Sequence, residues 1–266
     1  MSCWGFGFPH SNFINSHNLI FCTKQGVIKK TSLEQYSRPR ANGINAITIR
    51  EDDRVISVAL TDGDSDIVLA NRKGRAVRFN ENTVRTMGRT ATGVKGMDID
   101  ENDEVVGMVV LPKNDDAEHS LLVLSEQGYG KRSDVEEYRI TNRGGKGVKT
   151  LNVTEKVGEL VAIKCVTDED DLMIINKSGI TIRLKLSTVN VQGRVTQGVR
   201  LINLTKRNDV ISNVCIVPTE DEAEEDVNSA EMQDLATAET EGEGVVQDTT
   251  DAPTVDLFSE VSETEE

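Results

Sequence analysis

The residues with the most regular chemistry in this chain are its cations. Lys30, Arg78, Arg132 and Arg183 each stand four residues after a glycine, with Lys29, Arg75 and Lys131 close to three of them. A second row, Arg89, Arg143 and Arg194, precedes a later glycine by four residues, and Arg38 and Arg40 flank the same place in the first unit. A third row, Lys95, Lys149 and Arg200, follows that later glycine by two, where the first unit has Asn45. Cations at equivalent positions of a repeated scaffold share one rim, and a positive rim suits a polyanion. Lys and Arg that neutralise phosphates release condensed counterions, with no need to read bases. One such row alone reads better as the solvated cations of any β-protein. Three rows in phase favour duplex DNA, because the acidic residues repeat in phase only at one turn of each unit.

The segment Ile140-Thr141-Asn142-Arg143-Gly144-Gly145-Lys146-Gly147 adds a second kind of anion site. Three glycines around an Arg and a Lys let backbone N–H groups and side-chain charge approach a phosphate together. No constellation for bond-making chemistry accompanies it. His10, His17 and His119 fall in a leader or linkers, so no nucleophile, base and orienter can be assembled. Tyr36 and Tyr138 lie ten residues after a glycine, where other units have Val84 and Val189, and this equivalence marks them as packing residues; Tyr129 lies in a turn. Cys3, Cys22, Cys165 and Cys215 form no C-x-x-C pair and have no nearby His, and three of the four sit in expected buried strands. The chain is therefore expected to hold no catalytic residue, metal or cofactor of its own.

These side chains need a scaffold that repeats, and the glycines supply its beat. Gly26, Gly74, Gly128 and Gly179 are spaced by 48, 54 and 51 residues, and Gly43, Gly93, Gly147 and Gly198 by 50, 54 and 51. Each unit opens with an apolar run, such as Leu19-Ile20-Phe21-Cys22 or Leu121-Leu122-Val123-Leu124, which fits a strand buried on both faces. Gln25-Gly26, Lys73-Gly74, Gln127-Gly128 and Ser178-Gly179 then make a hairpin turn needing positive φ. After the second glycine, apolar residues at +1, +4 and +6 (Val94, Met97, Ile99 in the second unit) predict a third strand with a bulge near the glycine. A charged turn leads to a fourth run, Val55 to Leu60 in the first unit and Val210 to Val217 in the last. Four strands in about fifty residues is the arithmetic of a propeller blade. The expected fold is all-β, with about four four-stranded blades over residues 19–217.

Charge divides the chain at Pro218. Residues 219–266 hold 18 Asp and Glu and no Lys or Arg, so the preceding part carries 30 basic and 27 acidic residues. The overall net charge of −15 thus conceals a body of +3. An acidic, aromatic-poor tail cannot bury enough apolar surface to offset chain entropy, so residues 218–266 are expected to be disordered. Tethered beside a positive rim, they would compete with DNA at high local concentration; a purely solubilising tail is the alternative. Residues 1–18 fit no unit, and Trp4, Phe6 and Phe8 there either pack on the first blade or belong to a truncated neighbour. With no long apolar span and no signal-peptide pattern, a cytoplasmic location is expected.

The run R-G-G-K-G at Arg143 to Gly147 resembles the box of the C-terminal DNA-wrapping domain of the bacterial DNA gyrase A protein. Lys24-Gln25-Gly26-Val27-Ile28-Lys29-Lys30-Thr31 and Met87-Gly88-Arg89-Thr90-Ala91-Thr92-Gly93-Val94 resemble that family's blade sequences. The likeness covers about residues 19 to 217. It implies a β-pinwheel, in which neighbouring blades exchange strands, with a basic perimeter that wraps duplex DNA. It also implies partnership with the rest of gyrase A and with gyrase B, whose ATP, like the Mg²⁺ of the cleavage site, lies elsewhere in the holoenzyme. The family has six blades with the box in the first and usually a Gln at its start; here four units are found, and Asn142 precedes the box in the third. The topoisomerase IV counterpart is the near alternative. A propeller serving as a protein-interaction scaffold is the alternative from another class.

Overall fold

The computed structural model describes residues 17–111, 113, 118–204 and 209–217. The acidic tail and most of the leader, including Trp4, Phe6 and Phe8, lie outside the described residues. Among the described residues fifteen strands form: β1 Asn18–Thr23, β2 Val27–Ser32, β3 Val55–Thr61, β4 Asp66–Asn71, β5 Arg75–Asn80, β6 Val94–Lys95, β7 Val105–Leu111, β8 Ser120–Ser125, β9 Tyr129–Asp134, β10 Val148–Lys149, β11 Leu160–Val166, β12 Asp171–Asn176, β13 Thr181–Lys185, β14 Val199–Arg200 and β15 Ile211–Val217. Short 3-10 turns follow β2, β5, β9 and β13. The first strand begins at Asn18, paired with Ser32, and the His17 carbonyl accepts from Leu33 N–H, so the first blade reaches one or two residues into the expected leader.

The sheets run β3-β1-β2-β6, β7-β4-β5-β10, β11-β8-β9-β14 and, with three strands, β15-β12-β13. In each, the first strand and its hairpin partner are antiparallel, and the last long strand of the same unit flanks the first on its other side. Each hairpin closes where the expected glycine takes positive φ, from +75° at Gly26 to +86° at Gly179. The long last strands β3, β7, β11 and β15 all contribute to one central cavity, lined by Ile56, Val106, Gly107, Ile163 and Val214 among others. The hairpin partners therefore face outward.

In the two inner sheets the first strand has no polar alternation because it packs on a neighbouring sheet at each face. Ile67 and Leu69 join Ile20, Cys22 and Ile28 in one core, while Val68 and Ala70, pointing the other way, join Leu121 and Val123 in the next. Leu122 and Leu124 in turn meet Leu172 and Ile174. Three cores thus lie between four sheets. Cys22 is buried as expected, whereas Cys165 and Cys215, on strands that line the centre, are only half-buried.

The third strand of each unit differs most from expectation. It is two residues long, and it pairs not with its own unit but with the hairpin strand of the preceding one: Val94 with Ile28, Val148 with Ala76, Val199 with Gly130. The first unit forms no strand between residues 41 and 54. The ladder is short because the segment is held as a strap at separated points. Met87 N–H donates to the Lys30 carbonyl, and Gly96 and Met97 N–H both donate to the Gly26 carbonyl, with a loop bulging outward between them. Expected bulges near the second glycine are found instead where the first strand meets the last, at Cys22/Thr23, Ala70/Asn71 and Ile175/Asn176.

The strap's glycine is irreplaceable on two counts. Gly147 has φ +71°, and a Cβ there would collide with the Ala76 carbonyl across the junction. Gly145, two residues away, lacks the positive φ and has 3.8 Å of clearance. Urea denaturation should show Gly147→Ala losing about 2 kcal/mol or more, while Gly145→Ala stays within about 0.5 kcal/mol of the parent.

Candidate nucleic-acid interface

The structure separates the cation rows by depth. Lys30, Arg78, Arg132 and Arg183, the row complete in every unit, all carry a carboxylate partner. Lys30 Nζ lies 3.3 Å from Glu81, Arg78 lies 3.0 Å from Asp66, Arg183 Nε lies 2.6 Å from Asp171, and Arg132 pairs with Asp168. Their remaining donors reach into the next unit: Arg78 Nη1 to the Val135 and Tyr138 carbonyls, Arg132 Nε to that of Val189. Lys29, Lys30, Lys131 and Arg132 are buried. The expectation that these four present charge to a ligand does not hold. Where the following strap buries a cation of the hairpin strand, that cation must be paired within the fold.

Glu81 shows what the pairing stabilises. Its carboxylate is fully buried and accepts from Gly63 and Ser65 N–H, from the Thr61 hydroxyl and from Lys30. The second unit's 3-10 turn is thereby tied to the linker between β3 and β4 and to the first unit's hairpin strand β2. Lys29 and Lys131 hold a different contact. Lys29 Nζ donates to the Ala46 and Arg89 carbonyls, and Lys131 Nζ to those of Gly193 and Arg194, so each ammonium pins an arginine-bearing strap loop from inside. Burial, and the positive charge of the neighbouring Arg89 or Arg194, bring each lysine down to about 8. Units two and four have Val77 and Ile182 in that place. Tyr36 and Tyr138 alternate in the same way, Tyr138 fully buried with its hydroxyl on Thr150, as their packing role requires.

The second and third rows lie on the outer straps. Lys95, Lys149 and Arg200 are exposed on the donated strands, and Arg89, Arg143 and Arg194 are half-buried on the bulging loops. Arg143 donates to the Thr83 and Lys95 carbonyls, and Arg194 Nη1 to that of Lys149, so the arginines bridge from one strap to the one before it. Backbone bonds reinforce this: Gly144 N–H to the Gly96 carbonyl and Asp98 N–H to that of Gly145. The glycine loop therefore commits the Gly144 N–H to its neighbour, contrary to the expected phosphate nest, while Lys146 projects into solvent near Asp100. Arg200 stacks 5.3 Å from the Tyr129 ring centroid and donates to its hydroxyl.

Carbonyl partners leave a guanidinium's charge uncancelled. Among the strap cations Arg143 and Arg194 bond to carbonyls, Lys149 to the Asn152 side chain and Arg200 to the Tyr129 hydroxyl, while Lys95–Asp98 and Lys146–Asp100 are exposed ion pairs. Hairpin-turn cations, by contrast, are matched: Lys24 with Glu104, and Arg72 with Glu104, Glu126 and Glu159. Positive potential thus gathers along the perimeter straps and not at the turns. In the first unit Arg38 and Arg40 join Arg89 around an open cleft of about 840 Å³, while Arg75 is exposed and donates to the Gly147 carbonyl. Sequence reasoning missed Arg85 and Arg139, both exposed and both eleven residues after a hairpin glycine. The same periodicity could have found them.

Sheets radiating from a shared centre, with strands exchanged between neighbours and cations on the exchanged segments, define a β-propeller-class repeat array with a basic rim. The model of the DNA gyrase C-terminal domain, beta-propeller, matches residues 17–62, 65–112, 119–167 and 170–217, one match per sheet, and the chain belongs to that family. It is 45% identical over 250 residues to the DNA gyrase A protein of Staphylococcus aureus strain NCTC 8325 / PS 47, covering 93% of this chain and 28% of that protein. The chain thus spans little more than a quarter of the relative's length. Among solved structures, the C-terminal domain of DNA topoisomerase IV superposes with a TM-score of 0.74 at 26% identity, over 84% of this chain and 68% of the other. The DNA gyrase A C-terminal domain superposes with a TM-score of 0.68, also at 26% identity, over 77% and 67%.

Two measurements check the buried cations. Lys30→Met strands the Glu81 charge, so urea denaturation should show a loss of about 3 kcal/mol. The second concerns pH. Because Lys29 and Lys131 bind protons less tightly folded than unfolded, stability should rise between about pH 8 and the ordinary lysine value of 10.5. The double variant Lys29→Met, Lys131→Met should lack that rise.

Proposed function

We propose that this chain is a non-catalytic module that binds and wraps duplex DNA within a type II topoisomerase of the gyrase kind. The observation that carries the reading is the line of strap cations, of which only Lys95 and Lys146 have a carboxylate partner among the described residues. Lys95, Lys149 and Arg200 occur once per junction with Arg89, Arg143 and Arg194 alongside, and Arg38, Arg40, Arg75 and Lys146 extend the set. Arg85 and Arg139 complete the proposed surface; Lys29, Lys30, Lys131 and Arg132 are left out of it. Arg78, bonded into the next unit, serves its junction first, and Arg183 is ion-paired with Asp171. A rim of this kind neutralises phosphates along a curved path and discriminates little between sequences.

In this reading the chain works in the bacterial cytoplasm with the rest of gyrase A and with gyrase B. ATP and Mg²⁺ act elsewhere in that assembly, and the chain supplies supercoiling with a DNA path, not with a reacting group. Family membership favours gyrase over topoisomerase IV as the parent. The acidic residues 219–266, outside the described structure, would compete with DNA for the same rim.

Anisotropy titration with a labelled duplex tests the proposal. Affinity should fall about 10³-fold or more between 50 and 200 mM salt if six or more phosphates are engaged. Lys95→Glu, Lys149→Glu and Arg200→Glu should each reduce the salt slope by about 0.9, whereas Lys30→Met should leave the affinity of the folded protein unchanged. A scaffold function would show the opposite, with no duplex binding at low salt and the charge reversals silent. Ending the chain after Pro218 should tighten binding at low salt; equal affinity would assign the tail to solubility alone.

A further inference from the structure

Large apolar side chains are rare on the surface of this array, and they gather on the straps. Among the described residues five are exposed, and four of these, Ile140, Val191, Val195 and Val199, belong to the straps that join units two to three and three to four; the fifth, Ile49, is in the first unit. Apolar residues scattered singly over a surface need no explanation. Ile140 and Val191, however, are each 56% exposed and occupy one equivalent place, twelve residues after the hairpin glycine, where the second unit has Thr86, also exposed. All three are β-branched, so each carries a methyl group at the same distance from the backbone.

The fold aims these side chains outward. Each residue forms an isolated parallel bridge with the cation-bearing residue of the preceding unit's hairpin strand: Thr86 with Lys30, Ile140 with Arg78 and Val191 with Arg132. The next N–H along the chain donates to that residue's carbonyl, from Met87 at 2.8 Å, Thr141 at 2.8 Å and Gln192 at 2.7 Å. Two places earlier, Val84, Tyr138 and Val189 are buried. The backbone is thus held inward on both sides of the exposed residue, and a β-branched side chain on a fixed backbone has little rotamer freedom left to lose on contact. Cations flank the row. Arg85 and Arg139 directly precede Thr86 and Ile140, and Arg89, Arg143 and Arg194 follow the three residues by three.

We propose that Thr86, Ile140 and Val191 pack their methyl groups on deoxyribose of the wrapped duplex, between phosphates engaged by the arginines beside them. Successive phosphates of one strand are separated by a sugar with apolar C–H faces, so a side chain lodged among phosphate-binding arginines meets sugar, not a base edge. Every nucleotide presents that sugar, and the contact therefore adds affinity without reading sequence. It releases no counterion, so it persists when salt weakens the cations. The inference rests on the DNA reading above and assigns the rim a second, uncharged means of holding the duplex.

Anisotropy titration of the full chain with a labelled duplex, repeated across salt concentrations, tests it. Ile140→Ala and Val191→Ala should each weaken binding about 5-fold through lost apolar burial, and the effects should multiply in the double variant because the sites lie on different junctions. The plots of log affinity against log salt should shift in parallel, whereas Lys149→Glu changes their slope. Thr86→Ile, which enlarges the apolar contact, should tighten binding about 3-fold. Urea midpoints should match the parent in each case, as at other exposed positions. A duplex with uracil in place of thymine should bind as the ordinary one does. Alanine variants that bind like the parent would overturn the proposal, as would a changed salt slope. Loss of affinity on the uracil duplex would also overturn it, by moving the contact to the thymine methyl of the major groove. A parent that binds no duplex at low salt would overturn the DNA reading itself and this contact with it.

Discussion

The whole array depends on one junction: a hairpin glycine carbonyl that takes two amides from the next unit. Gly26, Gly74 and Gly128 each do this, and each lies under a backbone that a side chain would exclude. Because the donor comes from the following unit, no sheet reaches four strands by itself, and neighbouring sheets must fold against one another. The apolar cores obey the same logic. Ile67 and Val68, adjacent in sequence, serve different cores, so a unit without neighbours would expose one face of its first strand. The glycines and the apolar runs solve a single problem, which is how to close each sheet with borrowed chain.

That borrowed chain also decides which cations meet solvent. A strap laid over the hairpin strand turns the strand's outer edge into interior, and any charge beneath it must find a partner there. Lys30, Arg78 and Arg132 do so with Glu81, Asp66 and Asp168, while Arg183, with no strap over it among the described residues, pairs with Asp171 in its own sheet. The strap itself is the new exterior. Its side chains Lys95, Lys149 and Arg200 are set facing out by the two-residue ladder that buries the opposite edge. Structural charge and solvent-facing charge thus lie on adjacent layers of one perimeter.

Much of this was legible in the chain. The glycine beat located all four hairpins, and the uninterrupted apolar runs located strands packed on both faces. The cations were harder, for a physical reason. Periodicity reports that positions are equivalent, and every unit must pin the same junction, so the most regular row turned out to be the one the fold consumes. Exposure depends on a strap more than fifty residues away, as between Lys30 and Met87. The spacing +1, +4, +6 read as a third strand for a related reason: Val94, Met97 and Ile99 do mark a core-facing segment, but its partner belongs to the preceding unit.

Odd and even units reach the same closure by different means. Units one and three carry Lys29 with Tyr36 and Lys131 with Tyr138, whereas units two and four place Val77 with Val84 and Ile182 with Val189. In the odd units an ammonium reaches through to the carbonyls of the next strap loop, fixing the loops that bear Arg89 and Arg194. At the intervening junction, where the underlying residue is apolar, the loop instead carries Arg143-Gly144-Gly145-Lys146 and is held from outside, by Gly144 on Gly96 and by Arg143 on Thr83 and Lys95. A loop anchored from beneath needs no glycine pair, and a loop with nothing beneath it needs backbone that can bend onto its neighbour. The glycine-rich box thus holds its junction where no lysine does, and its Lys146 is left facing solvent.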